Sequence, residues 1–264
     1  MYRFAAYGLA AMQCALLLAV SAFAQSGKPP GSTDARLRQL AADADDLEQR
    51  LPSFTCKESL VSQELRGGKV KHQVQASGEV RVRRVGDGAL AEHFEVSEIN
   101  GRPVKGTGQL SVPIFVSGGF KDALGYFLAE HQACFLTAFS GNRLDFKSAP
   151  GGKAGACAEV SGTQGVALLD GDGHVVHLER SVTEEQTTER HTIPFASLDL
   201  SRMEFDGKPF SLATHVVATI AKGKSTGHWE AEYSACHLFE VTVKVGPAAP
   251  ADAAPPTSWP ASGP

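Results

Sequence analysis

Past its first two dozen residues, this 264-residue chain has no apolar run long enough to cross a bilayer, so no membrane span is expected in the mature protein. It has no basic excess: 25 Lys and Arg stand against 29 Asp and Glu, a net charge of −4. Nucleic-acid affinity rests on neutralising phosphates with cations, so that class of partner is not expected. Lys71, Arg81 and Arg83 share one strand face, which a solvated sheet surface explains. No His-Glu-x-x-His, Gly-x-Ser-x-Gly, Walker-type loop or dinucleotide fingerprint occurs. There is no Cys-x-x-Cys and no close Cys/His pairing of the kind that holds zinc. No catalytic residue, cofactor or metal ligand is therefore assigned, and the expectation is a protein that is not an enzyme.

What is present begins with a targeting signal. Met1–Ala24 carries Arg3 near the front, an apolar run from Ala5 to Val20, and Ala22-Phe23-Ala24 just before Gln25. Cleavage after Ala24 leaves about 240 residues, enough for one sizeable core. Without Arg3 the mature chain has 24 basic against 29 acidic residues, a net charge of −5. The expected location is the periplasm or the exterior. Four cysteines remain, an even count that reads as two disulfides with three connectivities. Cys134–Cys157, closing a local loop, and Cys56–Cys236, tying the first strand to the last, are the preferred pairs.

The longest pattern is the final one. Trp229, Ala231, Tyr233, Ala235, His237, Phe239, Val241, Val243 and Val245 alternate with a mostly polar set, the period of a strand with one face buried. So long a strand calls for a large antiparallel sheet with a cover on its apolar face. Ahead of it, Gln25–Ser32 is a Gly/Pro/Ser leader. Leu37, Leu40, Ala44, Leu47 and Leu51 then recur at helical steps behind a Ser32 or Thr33 cap, and Pro52 stops the helix. Asp43, Asp45, Asp46, Glu48 and Arg50 are placed on its solvated side. Phe54–Leu65 alternates poorly, as an edge or twisted strand does. Val70–Val82 alternates well, Phe94 and Val96 mark a third strand, and Asn100-Gly101 turns the chain.

After Val112-Pro113 the period changes. Phe120, Leu124, Phe127 and Leu128 share a helical face and suggest a second covering helix. Phe135–Phe146 reads as strand, and a second meander follows from Val166 onward. Asp170-Gly171-Asp172-Gly173 resembles a calcium loop but lacks its glycine and glutamate positions, so it reads as a turn. Thr183–Thr192 is a polar connection, and Gly246–Pro264 an Ala/Pro-rich disordered tail. Among the histidines, His174 and His177 are three apart on a strand and face opposite ways, while His237 is placed on the apolar side.

Leu51-Pro52-Ser53-Phe54-Thr55-Cys56, Phe94 through Arg102, Ile193 through Leu198, Phe210-Ser211-Leu212-Ala213 and the Tyr233–Val245 strand give the chain a likeness. It resembles exported bacterial proteins of the lipoprotein-localisation factor (LolA-like) half-barrel superfamily. The resemblance implies a mainly β (α+β) fold: a large curved antiparallel sheet or open β-barrel covered by two helices, spanning residues 33–245. It also implies an apolar face that holds acyl chains, with Phe94, Leu124, Phe127, Trp229, Tyr233 and Phe239 as the candidate lining. A closed lipocalin-like barrel is the alternative architecture. The expected function is a non-enzymatic binding module of the bacterial envelope for a lipid or another apolar small molecule. An envelope protein-interaction or sensing module with a packed core is the alternative, and a hydrolase with a site outside the known motifs the third.

Overall fold

The computed structural model describes residues 32–86, 88–104, 111–116, 119–120, 123–151, 155–182, 195–222 and 224–239. The targeting segment, the leader apart from Ser32, the Thr183–Thr192 connection and the Ala/Pro-rich tail lie outside them.

Helix α1 (Thr33–Arg50) is capped by Ser32, whose hydroxyl accepts from the Ala35 N–H at 3.3 Å. It buries Leu40, Ala41, Asp43, Ala44 and Leu47. Its last carbonyls would be orphaned at Pro52. Arg84 answers them, donating to Glu48 O at 2.9 Å and to Leu51 O at 3.0 Å. Among the described residues eleven strands follow: β1 (Phe54–Arg66), β2 (Lys69–Val85), β3 (Ala89–Ile99), β4 (Arg102–Pro103), β5 (Phe135–Ser140), β6 (Arg143–Ser148), β7 (Thr163–Leu169), β8 (Val175–Val182), β9 (Phe195–Phe205), β10 (Lys208–Lys222) and β11 (Ser225–Leu238). They form one antiparallel sheet in the order β4-β3-β2-β1-β11-β10-β9-β8-β7-β6-β5. Each meander is built by local hairpins, and the two join where β11 pairs with β1. The sheet is open rather than closed, and its one covered face carries the core.

The expected second helix is much shorter than its periodicity suggests. A 3-10 turn (Gly125–Phe127) and the single-turn helix α2 (Ala129–Gln132) stand in its place, and Phe120 lies ahead of both. Phe120, Leu124 and Phe127 are buried all the same, so the apolar spacing reported contact with the sheet rather than helical winding. A third short helix, α3 (Ala156–Glu159), carries Cys157. Among the described residues no helix is long and apolar enough to cross a membrane.

Both preferred disulfides are present, Cys56–Cys236 and Cys134–Cys157. The first marks a bulge that changes the reading of β11. Thr55 pairs with His237 but Lys57 with Ser234, and Ala235 takes a positive φ of 49°. The extra residue reverses the strand's phase. Up to Tyr233 the alternation holds; beyond it Cys236 and Leu238 pack against the core, while His237 is exposed. The Thr55 hydroxyl bonds His237 Nε2 at 2.9 Å, and Nδ1 donates to Ala235 O at 3.0 Å. Described strand geometry ends at Leu238, so residues 240–245 of the expected strand fall outside the described residues.

Two further expectations change. β1 is central, flanked by β2 and β11, and not an edge. Its alternation is poor because the bulge interrupts it and because Glu58 and Ser62 take inward positions. Asp43 is buried at 7% exposure and not solvated: it accepts from His174 Nδ1 at 2.6 Å and lies 3.8 Å from Arg202 Nη1. It sits beside Leu40 and Leu47 on the helix surface, at the margin of the apolar stripe. The Asp170–Gly173 stretch is a turn, with Asp170 Oδ1 accepting from the N–H groups of Asp172 and His174 at 2.9 Å each.

Candidate ligand-binding face

The covered face has β11 along its middle. Trp229, Ala231 and Tyr233 project from it at two-residue steps, all buried. Residues 111–116 and 119–120, here together termed the strap, lie against this face and fall in sequence between β4 and β5. Gly227 leaves room for its first anchor: a Cβ there would overlap Ile114 Cδ1. Ser62, fully buried on β1, holds the same residue by its backbone, donating to Ile114 O at 2.7 Å and accepting from Ile114 N at 3.0 Å. The second anchor lies at the other end of the furrow. A Cβ on Gly119 would stand 3.4 Å from the Tyr233 hydroxyl, and the Phe120 N–H donates to Glu92 Oε1 at 3.2 Å. The Phe120 ring then packs 4.6 Å from Tyr233 and 5.2 Å, edge-on, from Phe54. Each such buried ring contributes roughly 1.5–3 kcal/mol relative to exposure, so the strap is held mainly by apolar contact.

Beneath it sits an acidic group. Glu58 is 4% exposed and pairs directly across the sheet with Tyr233, whose hydroxyl it hydrogen-bonds. Burial and then the Glu92 charge push the Glu58 pKa up to about 8, against the lowering effect of the Tyr233 bond. Burial, then the two glutamates, raise Tyr233 as well. At neutral pH Glu58 therefore holds its proton. Trp229 is 1% exposed, and its Nε1 has no hydrogen-bond partner among the described residues.

Of the candidate lining, Leu124, Phe127, Trp229 and Tyr233 lie buried on this face, and Phe94 packs half-buried at its margin. Phe127 meets Phe146 edge-on at 5.5 Å. Phe239 is not with them. Past the bulge its ring turns to the other side of the sheet, 4.5 Å beneath the Arg83 guanidinium. Glu58, Ser62, Glu92, Ile114 and Gly227 were missed. The available signal was polar side chains at inward positions of β1, flanking buried Leu60.

The open face carries different chemistry. His177 Nδ1 donates to Asp199 at 2.6 Å and its Nε2 reaches Glu179 at 3.3 Å. His215 Nδ1 meets the other Asp199 oxygen at 3.2 Å, and its Nε2 meets Glu230 at 2.9 Å. Burial alone would lower both histidines, but the carboxylate hydrogen bonds outweigh it and raise them. The His177 bond, opposed by burial and aided by His215, lowers Asp199. This is an ion-pair ladder across β8, β9, β10 and β11. Among the described residues no group of three His, Cys, Asp or Glu side chains is placed to hold a metal, and all four described cysteines are in disulfides. At the β5 end of the open face a groove of about 500 Å³ is lined by Leu136, Lys147, Val166, Glu179 and Phe195 among others.

No known family's sequence profile matches the chain, and no curated protein sequence does. Solved structures do. A LolA superfamily protein from Nitrosomonas europaea is 9% identical, with 78% of this chain and 94% of that one covered and a TM-score of 0.39. A DUF1329 family protein from Desulfovibrio piger is 12% identical, covering 80% and 94%, with a TM-score of 0.37. A domain from Vibrio parahaemolyticus named for outer membrane lipoprotein sorting is 8% identical, covering 75% and 90%, with a TM-score of 0.32.

Proposed function

We propose that the chain is an exported, non-enzymatic binding module of the bacterial cell envelope that holds a lipid or other apolar ligand on its covered face. The observation that carries this reading is the strap. Among the described residues, 111–116 and 119–120 lie against the sheet's apolar floor, Ile114 at Gly227 and Gly119 with Phe120 at Tyr233, and none of them is strand-paired to β11. Lifting the strap exposes a furrow floored by Trp229 and Tyr233, and an acyl chain entering it would regain about 25 cal/mol for each Å² of apolar surface removed from water. Two disulfides support an oxidising compartment, and with it the proposed targeting role of Met1–Ala24. We place residues 33–245 in one binding domain, with the leader and tail outside it.

Native mass spectrometry of the protein purified from its own host tests this. A retained lipid mass, lost when the strap is pinned over the floor by an engineered disulfide, is the expected result; only the bare protein mass, with no uptake of added lipid, overturns it. The second reading is an envelope protein-interaction or sensing module with a packed core. It is favoured by the open-face groove, where Leu136 is 61% exposed.

A further inference from the structure

Two hairpins stand side by side at one end of the sheet, because β2, β1, β11 and β10 are consecutive in it. The first turns at Gly67-Gly68, with Arg66 and Lys69 facing each other across the pair. The second turns ahead of Ser225 and carries Lys224. Leu65 pairs with Val70 on one side and with Thr226 on the other, so Lys69, Arg66 and Lys224 sit at the tips of three neighbouring strands. At about 4.8 Å per strand, the outer two backbones lie roughly 10 Å apart. Lys71 follows at the same tip. All four cations are exposed, in a chain whose net charge is −4. Glu64 shares this end; Arg66 Nη2 lies 3.3 Å from it and still leaves 65% of the Arg66 side chain in water.

Two apolar side chains are exposed among these cations. Val70, between Lys69 and Lys71, is 49% exposed. Phe115 is 49% exposed as well, and it follows Ile114, which is seated against Gly227. Gly227 pairs with Glu64, so Phe115 leaves the strap close to the same tip. Lysines on an edge strand block pairing with another sheet, and that accounts for Lys69 and Lys71 on β2. It does not account for Arg66 on central β1, for Lys224 one strand further on, or for a valine and a phenylalanine left in water beside them.

We infer that this hairpin end docks on an anionic phospholipid bilayer, with Arg66, Lys69, Lys71 and Lys224 at the phosphates and Val70 and Phe115 entering the headgroup layer. Lysine and arginine carry their charge on long apolar stems, so they hold the phosphate level while a neighbouring apolar side chain goes deeper. Charge alone would suit an acidic protein equally; the interleaved apolar side chains favour the bilayer. Each cation near such a surface strengthens binding roughly fivefold, an effect that salt screens. Docking there requires no movement of the strap and does not depend on a lipid being held on the covered face.

The test is flotation of the intact protein, purified from its own host, with vesicles of phosphatidylcholine alone or with roughly one-third phosphatidylglycerol. Binding to the anionic vesicles is expected to be stronger by about tenfold or more and to fall as salt rises. Lys69→Glu with Lys71→Glu and Lys224→Glu should remove that preference. Where the reversal disturbs folding, glutamine at the same three positions keeps the test, with a smaller loss. Lys208→Glu, at an exposed lysine on the opposite end of the sheet, should leave at least three-quarters of the preference, roughly, once net charge is matched by salt. Phe115→Ser should weaken the binding that survives high salt. Equal binding to both vesicles, or an equal loss from Lys208→Glu, overturns the inference. So does unchanged vesicle binding by Phe115→Ser together with full displacement by polyglutamate, which would make the partner an acidic protein. None of these outcomes touches the covered-face reading, whose measure is the lipid mass retained by the parent chain.

Discussion

Glu58 and Asp199 are carboxyls of one sheet, on opposite faces, and their pKa values move in opposite directions. Glu58 lies under the strap, 4% exposed, with Glu92 and Tyr233 for neighbours among the described residues, and is pushed up to about 8. Asp199 keeps half its side chain in water, faces two imidazoles and is held below the usual carboxylate range. Residue type decides neither outcome. Burial without a cation makes a carboxyl keep its proton, while a partner that can be positive makes it give the proton up. Around Glu58 charge is suppressed, whereas around Asp199 it is paired.

The harshest way to break this contrast is to cut the seam that both faces share. Cys56→Ala with Cys236→Ala opens a loop of 180 residues, worth about 5 kcal/mol in the chain-entropy model. Denaturant unfolding should show a loss of that order, with Cys134→Ala/Cys157→Ala, which opens a 23-residue loop, costing less at about 3 kcal/mol. Equal losses would mean that the β1–β11 junction is not the part the unfolded chain most needs tied.

The next effect is of opposite sign and belongs to the covered face. A carboxyl whose folded pKa is raised from 4.5 to about 8 contributes stability below pH 4.5 that is lost as pH climbs towards 8. Glu58→Gln removes that loss. The variant should melt close to the parent at pH 4.5 and above it by pH 8, by a few kcal/mol at about 1.4 per pKa unit. A gain that does not grow with pH would show that Glu58 is already ionised and the face already charged.

The smallest effect concerns the ladder. His177 and His215 are raised, so their contribution is complete below the ordinary histidine value of 6.5 and fades as pH rises through their folded pKa values. Asp199 is lowered, so its contribution is complete above 3.8 and fades as pH falls. Asp199→Asn should therefore cost most between about pH 4 and 6.5. Because these groups are well exposed, the cost should be about 1 kcal/mol or less and shrink in high salt. A larger, salt-insensitive loss would place the ladder in a drier setting than its exposure indicates.

Much of the architecture was legible because it is periodic. Two-residue alternation in β2 and the first part of β11, turn pairs such as Asn100-Gly101 with both residues at positive φ, and an even count of exported cysteines all follow from local chemistry. They lead to meanders, a covering helix and an antiparallel sheet. The candidate site was only half legible. Trp229, Tyr233, Leu124 and Phe127 announce burial by being large and in phase, whereas Glu58 and Ser62 looked like faults in a strand. Phe239 and His237 were placed on the wrong side because a single bulge at Ala235 reverses every later side chain, and nothing in an alternating run shows where an extra residue goes. By itself the order of residues settled which segments are strands and which side of most of them avoids water, since both depend on spacing along the chain. Only the assembled sheet decided that β1 is central, that the segment ahead of β5 lies along β11, and that Glu58 keeps its proton, because each depends on which distant residues come to share a neighbourhood without water.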